Sequence, residues 1–332
     1  MKKIEVAVLG DGGWGTTLAI LLYRKAFKVT IWGAFPGYIA QMRKKHVNDK
    51  FLPGITIPVG IKLTHNLEEA LKGKDLIILA IPSQYLRGVL KKVKKLAYPQ
   101  NAIFLSVVKG IEVGSLKRMS EVIHQELGKV KLGVLSGPTI AHEVAGGVPT
   151  VAVVASRDIG VRKHLQNIFM NERLRIYTND DVIGTELGGS LKNIIAIACG
   201  ISDGLKFGTN TKAAILSRGL AEITRLGKAM GAKESTFSGI TGLGDLVTTC
   251  ISLYSRNRFI GEEIGKGKTL KHIQEHMQMV AEGVPTTMSA YALSRRYKVE
   301  MPITKEVYLV LYKNKSALAA VKDLMNRQKR QE

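Results

Sequence analysis

Short runs of Val, Ile and Leu alternate with amphipathic stretches from the start of the chain to about residue 180, the pattern of strands joined by crossover helices in a parallel sheet. The predicted strands are Ile4 to Leu9, Val29 to Trp32, Leu76 to Ala80, Ala102 to Val107 and Val134 to Leu135. Thr150 to Val154 and Leu174 to Tyr177 flank a helical pattern from Asp158 to Phe169 and extend the sheet; the rest of this half reads as helix. After Asp181 the period changes. Ile194, Ile195 and Ala198, then Ile215, Leu220, Ile223 and Leu226, recur at helical spacing, and strand-like runs nearly vanish. The prediction is an α/β chain, a doubly wound sheet over 1–183 followed by an all-α domain over 184–332. No linker rich in Pro or Ser separates them, so the two are expected to pack around a shared cleft. The polar end, Asn326 to Glu332, is expected to fray.

The first predicted strand runs directly into Gly10, Gly12 and Gly15, in G-x-G-x-x-G spacing, and Thr16 to Arg24 continues as a helix. Glycines there let the chain turn tightly and bring backbone N–H groups up to a pyrophosphate on the positive end of the helix. The bare string also suits a plain strand-to-helix turn, but with strand and helix both in place it makes the first domain Rossmann-type and a dinucleotide its expected ligand. The usual companion is missing. About 20 positions on, an acidic residue holds the ribose 2′-hydroxyl of NAD, or a basic one meets the 2′-phosphate of NADP. Here the chain reads Trp32, Gly33, Ala34, Phe35, Pro36, and the nearest basic residues are Arg43, Lys44 and Lys45 on the next helix. Local chemistry leaves NAD against NADP open, and discrimination is expected to be weak unless one of those three compensates.

A length of 332 residues suits two domains, and 45% hydrophobic with 23% charged residues is ordinary for packed globular protein. Forty-nine Lys and Arg against 27 Asp and Glu leave a formal charge of +22, which concentrates anions around the molecule. Much of that excess reads as a solvated surface. Phosphate metabolites fit better than nucleic acid, since no helix-turn-helix, zinc-finger or RNA-recognition signature accompanies the charge. Cys199 and Cys250 lack any metal-ligand spacing, so no metal is expected and a reducing compartment is. No uninterrupted apolar stretch approaches the roughly 18 residues of a membrane span, and a cytoplasmic protein without integral membrane association is expected.

Three further places carry chemistry. Lys109 follows Val107 and Val108 and precedes Gly110, so it projects from the carboxyl edge of the sheet, where such folds bind ligands. Leu135 leads into Ser136, Gly137, Pro138 and Thr139, a turn expected to open a helix and seat an anion. Lys192 lies in an apolar helical pattern, Glu186 to Asn193, where an unpaired ammonium is costly. Burial or a neighbouring cation lowers a lysine pKa and makes it a proton donor and acceptor near neutrality. Asp245, among Gly242, Gly244 and apolar residues, is the candidate to orient it. Ser255, Arg256, Asn257 and Arg258 are able to give a phosphate several charge-assisted hydrogen bonds.

From the glycine loop to Met301-Pro302-Ile303 the whole chain resembles the bacterial glycerol-3-phosphate dehydrogenases. The resemblance rests on the joint order of Gly10 to Thr16, Lys109-Gly110, Ser136 to Thr139, Leu187 to Asn193, Gly242 to Thr249, Ser255 to Asn257 and Val280 to Gly283. It implies reduction of dihydroxyacetone phosphate to sn-glycerol 3-phosphate for phospholipid synthesis, with NAD or NADP as cofactor, in a homodimer. It further implies that Lys192 donates the proton in reduction and accepts it in oxidation, with Lys109 beside the substrate oxygen and Asp245 holding Lys192. Gly137, Thr139, Ser255, Arg256 and Asn257 would line the substrate, Arg256 and Asn257 nearest its phosphate, with Thr249 a further contact. Gly13, Trp14, Lys109, Ala141, Arg256, Val280 and Glu282 would touch the cofactor, beside Gly10, Gly12 and Gly15. Family members often carry His or Arg where this chain has Ala34 and Phe35, which puts NADP preference in doubt. Two other readings stand beside this one. A two-domain dehydrogenase of hydroxy acids or acyl-CoA is not expected to combine Lys192, Asp245 and the Ser-Arg-Asn cluster at these spacings. A basic dinucleotide-sensing protein would bind DNA or anionic vesicles in a salt-dependent way without turnover.

Overall fold

The structure is a computed structural model in which residues 4–96, 98–277 and 279–328 are described. The last part of the polar tail, 329–332, lies outside them. The chain divides into two compact units, one formed by the stretch up to Lys109 with Lys117–Glu186, the other by Gly110–Leu116 with Leu187–Glu332.

The first unit is a Rossmann-type sheet. Its strands are β1 (Glu5–Leu9), β2 (Lys28–Trp32), β3 (Val47–Asn48), β4 (Leu52–Thr56), β5 (Lys62–Thr64), β6 (Leu76–Leu79), β7 (Ile103–Ser106), β8 (Lys131–Ser136), β9 (Thr150–Ala155) and β10 (Leu174–Asn179). Eight of them form one sheet in the order β10-β9-β8-β7-β6-β1-β2-β5, and β3 with β4 forms a separate ribbon. Every neighbouring pair in the large sheet is parallel except β8 with β9. Between them run α1 (Gly13–Arg24), α2 (Pro36–Lys45), α3 (Leu67–Leu71), α4 (Ser83–Lys94), α5 (Met119–Leu127), α6 (Ala141–Ala145) and α7 (Ile159–Phe169). The period of two in β1 explains why both faces are covered: Val6 and Val8 join the core under α1 and α7, while Ala7 and Leu9 join the one under α4 and α5.

Two expectations need correction here. Residues 46–66 are not helical: they make the β3–β4 ribbon and the edge strand β5. Pro53, Gly54, Pro58 and Gly60 break the apolar run that would have marked strands, and Pro53 is tolerated because a two-stranded ribbon leaves unpaired edges. The turn at Gly137 does not open a helix directly. Helix α6 begins only at Ala141 and is five residues long, too short to make an anion seat of its N-terminus.

The chain switches direction between β1 and β6, β2 lying on one side and β6 to β8 on the other. The crevice outside the carboxyl ends at such a switch point is where these sheets bind ligands. Gly10 leaves β1 there, opposite Ala80 at the end of β6.

The second unit is helical: α8 (Val182–Gly204), which starts in the first unit, then α9 (Thr209–Ala229), α10 (Glu234–Ser238), α11 (Asp245–Ile251), α12 (Arg256–Gly265), α13 (Leu270–Glu275), α14 (Gly283–Arg296), α15 (Pro302–Tyr312) and α16 (Ala317–Met325). A π-helical turn, Ile240–Gly244, precedes α11. By length and by the mean hydropathy of an 18-residue window α8 could cross a membrane, although no unbroken apolar run reaches that length, yet 83% of that window is buried within the protein. It also carries Glu186 and Lys192. It is a core helix by those signs.

Helices α8 and α12 meet through glycines. A Cβ on Gly200 would lie 2.0 Å from the carbonyl oxygen of Arg258 and one on Gly204 2.2 Å from that of Glu262; Gly261 and Gly265 approach Ile197 and Ile201 in return. Two Gly-x-x-x-Gly faces thus bring the backbones into contact and fix where α12 begins relative to α8.

Candidate functional site

In the first unit the site is made of backbone. A Cβ on Gly10, whose φ is +124°, would meet the carbonyl oxygen of Ala80 at 2.4 Å; one on Gly15 would meet that of Gly10 at 2.3 Å, and one on Gly13 that of Phe51 at 2.5 Å. These three glycines are required by the protein's own packing. Gly12 is different, since a Cβ there would have nothing within 4 Å. It is the N-cap of the 12-residue α1, with no side-chain cap and no acidic residue in the first turn. An open glycine before uncapped helix N–H groups is what a close-lying anionic ligand requires. The loop is braced by Asn48, a fully buried residue that the sequence reading passed over. Its side chain donates to the Asp11 carbonyl at 2.7 Å and the Thr16 hydroxyl at 2.8 Å, and accepts from Tyr38 at 2.6 Å. The unexpected β3–β4 ribbon therefore serves to lock the glycine loop.

Two buried polar atoms of this loop, Oδ2 of Asp11 and Nε1 of Trp14, have no partner among the described residues. Burial pushes the Asp11 carboxyl above its ordinary range. Orphaned polar atoms beside an uncapped helix end fit a polar ligand that satisfies them.

Past the end of β7, the Lys109 ammonium donates to the Gly137 carbonyl at 2.8 Å, and the Thr139 hydroxyl donates to the same oxygen at 3.1 Å. The Gly137 turn thus offers an acceptor that anchors a cation. Ala141 approaches the loop as well: its Cβ lies 3.7 Å from where a Cβ of Gly13 would be.

In the second unit the site is made of side chains. Lys192 and Asp245, 5% and 1% exposed, form a buried ion pair. The ammonium also donates to the Thr249 hydroxyl at 2.6 Å, which itself donates to the Asp245 carbonyl at 2.7 Å. Glycine again sets the geometry. Gly188, one turn before Lys192 on α8, lies where a Cβ would be 2.4 Å from the Thr241 carbonyl oxygen in the π turn. That contact sets the π turn against α8, and Asp245, which follows the turn directly, pairs with Lys192.

The Ser255 to Arg258 string does not act as one cluster. Ser255 caps α12, its hydroxyl accepting from the Arg258 N–H at 3.2 Å. Arg258 turns to Asp203 at 2.7 Å and is drawn into a structural ion network. The buried Asn257 amide donates to Asn193 at 2.9 Å and accepts from the Gly283 N–H at 2.9 Å. Arg256 is exposed and donates to the Val280 carbonyl at 2.8 Å, with the charge of Glu282 acting on it. Arg256, Val280 and Glu282 are thus brought together, as are Lys192, Asp245 and Thr249. Of the basic residues considered as 2′-phosphate partners, Arg43 donates to the Leu63 carbonyl at 2.8 Å and Lys45 pairs with Asp49 at 2.8 Å. The sequence reading also left Glu186 without a partner. It accepts from the Ser120 N–H and hydroxyl and pairs with Arg118 at 2.6 Å, tying the start of α5 to the start of α8.

Comparison with known proteins gives one answer for both units. Residues 5–161 match the N-terminal and 181–322 the C-terminal family model of NAD-dependent glycerol-3-phosphate dehydrogenase. The glycerol-3-phosphate dehydrogenase (NAD(P)+) of Fusobacterium nucleatum is 45% identical over 331 residues, covering 99% of this chain and 98% of its own length. That of Citrifermentans bemidjiense is 48% identical, covering 97% of both. A crystal structure of glycerol-3-phosphate dehydrogenase from Coxiella burnetii superposes with a TM-score of 0.95 at 39% identity, over 98% of this chain and 99% of that one.

Proposed function

The chain belongs to the NAD-dependent glycerol-3-phosphate dehydrogenase family, and on that premise we propose that it reduces dihydroxyacetone phosphate to sn-glycerol 3-phosphate, and oxidises the product at the same site. The observation that carries the reading is the buried Lys192–Asp245 pair with Thr249. A charged proton donor held in a fixed position inside a helical unit is unusual unless it has chemistry to perform. The bound dinucleotide, NAD or NADP, supplies or takes up the hydride. Lys192 gives a proton to the substrate oxygen in reduction and takes it back in oxidation. Asp245 and Thr249 keep its ammonium oriented and supported, so that the proton leaves a group that is already positioned. Lys109, anchored on Gly137, lends positive charge to the oxygen that becomes anionic.

In this reading residues 1–183 form the dinucleotide-binding domain and 184–332 the substrate domain. Gly10, Gly12, Gly13, Trp14 and Gly15 hold the cofactor, with Lys109, Ala141, Arg256, Val280 and Glu282. Gly137, Thr139, Ser255, Arg256 and Asn257 complete the substrate side, Arg256 facing its phosphate. The enzyme works in the cytoplasm as a homodimer on phosphorylated three-carbon substrate, without nucleic acid and without insertion in a membrane. NADH or NADPH oxidation with dihydroxyacetone phosphate, each cofactor run separately, tests the activity; absence of turnover with both would remove the reading. Light scattering of the purified protein tests the dimer.

A further inference from the structure

The acid that ordinarily stands at the end of β2 is missing at Ala34 and Phe35, both exposed. Another carboxylate occupies that place. Asp11, between the first two glycines of the loop, sends its side chain across to β2: a Cβ on Gly33 would lie 2.5 Å from Asp11 Oδ2 and 2.7 Å from its Cγ. The carboxylate therefore lies against Gly33, the residue that follows β2, with Lys50 close enough for its charge to act on it. Its main chain is fixed by Asn48, and Oδ2 is buried without a partner. A buried acceptor that receives no hydrogen bond is unfavourable, and a ligand hydroxyl relieves it.

We propose that Asp11 replaces the missing β2 acid, accepting a hydrogen bond from the adenosine ribose and disfavouring a 2′-phosphate, so that this enzyme selects NADH over NADPH. The two roles follow from one group: a carboxylate is an acceptor only, suited to a hydroxyl and repelled by a phosphate dianion. Glycine at position 33 is part of the device, since any side chain there would displace the carboxylate. Two of the three basic residues of α2 are already engaged, Arg43 with the Leu63 carbonyl and Lys45 with Asp49.

The inference rests on the loop holding a dinucleotide, and direct binding separates the two. Titration calorimetry with NADH and NADPH, without substrate, is expected to give at least tenfold tighter binding of NADH. Asp11→Ala is expected to weaken NADH about tenfold and to bring the two cofactors within threefold of each other. Asp11→Asn keeps an acceptor in nearly the same shape, so it is expected to retain most NADH affinity while NADPH improves. Thermal unfolding of both variants identifies any that fail to fold, and the Asn variant then decides alone. Equal affinities in the native enzyme, or equal loss of both cofactors in Asp11→Asn, would overturn the assignment of Asp11 while leaving the loop's role intact. Binding of neither cofactor to the native enzyme would overturn both.

Discussion

The glycine loop and the Lys192 pocket both present polar groups at a fixed place, and they are built from opposite materials. In the loop the polar groups are backbone N–H, the positions are set by what cannot fit, and Gly10, Gly13 and Gly15 exclude any Cβ. In the pocket the polar groups are side chains: the Gly188 contact places the π turn, and mutual attraction between Lys192, Asp245 and Thr249 holds them together. The first kind of site is damaged by adding atoms and the second by removing them. On the proposed reading, the loop selects a ligand class by shape, while the pocket supplies the titratable group of the reaction.

The largest expected effect is that of Lys192→Ala, which should lower kcat by about 10³- to 10⁴-fold while calorimetric affinity for the cofactor is unchanged. Near-normal kcat would show that the pocket is not chemical and would collapse the contrast. Asp245→Ala leaves the Lys192 ammonium buried without its counter-ion, and should cost about 3–5 kcal/mol in urea unfolding; a loss under 1 kcal/mol would mean that the pair is not buried in solution. A milder case is Glu222, whose buried carboxylate accepts from the N–H groups of Ile303 and Thr304 at the start of α15 and is pushed up to about 7 by burial. Its folded-state pKa is raised above 4.5, so folded protein holds the proton longer than unfolded protein does. Stability from this group is therefore greatest below pH 4.5 and falls as pH rises to 7, by about 3 kcal/mol. Glu222→Gln should remove that slope, read by unfolding at several pH values against the native enzyme; identical slopes would show the carboxylate to be hydrated. The smallest effect is that of Gly15→Ala, where one methyl group meets the Gly10 carbonyl and should cost about 1–3 kcal/mol of stability together with cofactor affinity. Unchanged melting and affinity would mean that the loop yields, contrary to a site set by exclusion.

The same contrast explains what could be read in the sequence. The loop and the parallel sheet announce themselves because period-two strands, glycine spacing and the following helix are local signals. The β3–β4 ribbon was missed because Asn48, which gives it its purpose, acts on Asp11, Thr16 and Tyr38 from a distance. Asp11 itself looks like an ordinary turn residue until Gly33 is seen beneath it. In the helical half, Lys192 and Asp245 stand 53 positions apart, and only their odd surroundings, an ammonium in an apolar pattern and an acid among glycines, mark them. The splitting of Ser255 to Arg258 into a cap, a buried amide bridge and an ion pair was not legible, since neighbours in sequence point to different partners once wound into α12.

Between α8 and α12 no side chain intervenes at Gly200, Gly204, Gly261 or Gly265. Contact of that kind contains almost nothing compressible and no rotamers to populate. Under hydrostatic pressure, which works by eliminating internal voids, this crossing should be among the last parts of the second unit to yield. The spacing between Asn193 and Asn257, set beside it, should then hardly change over the range in which the enzyme remains folded.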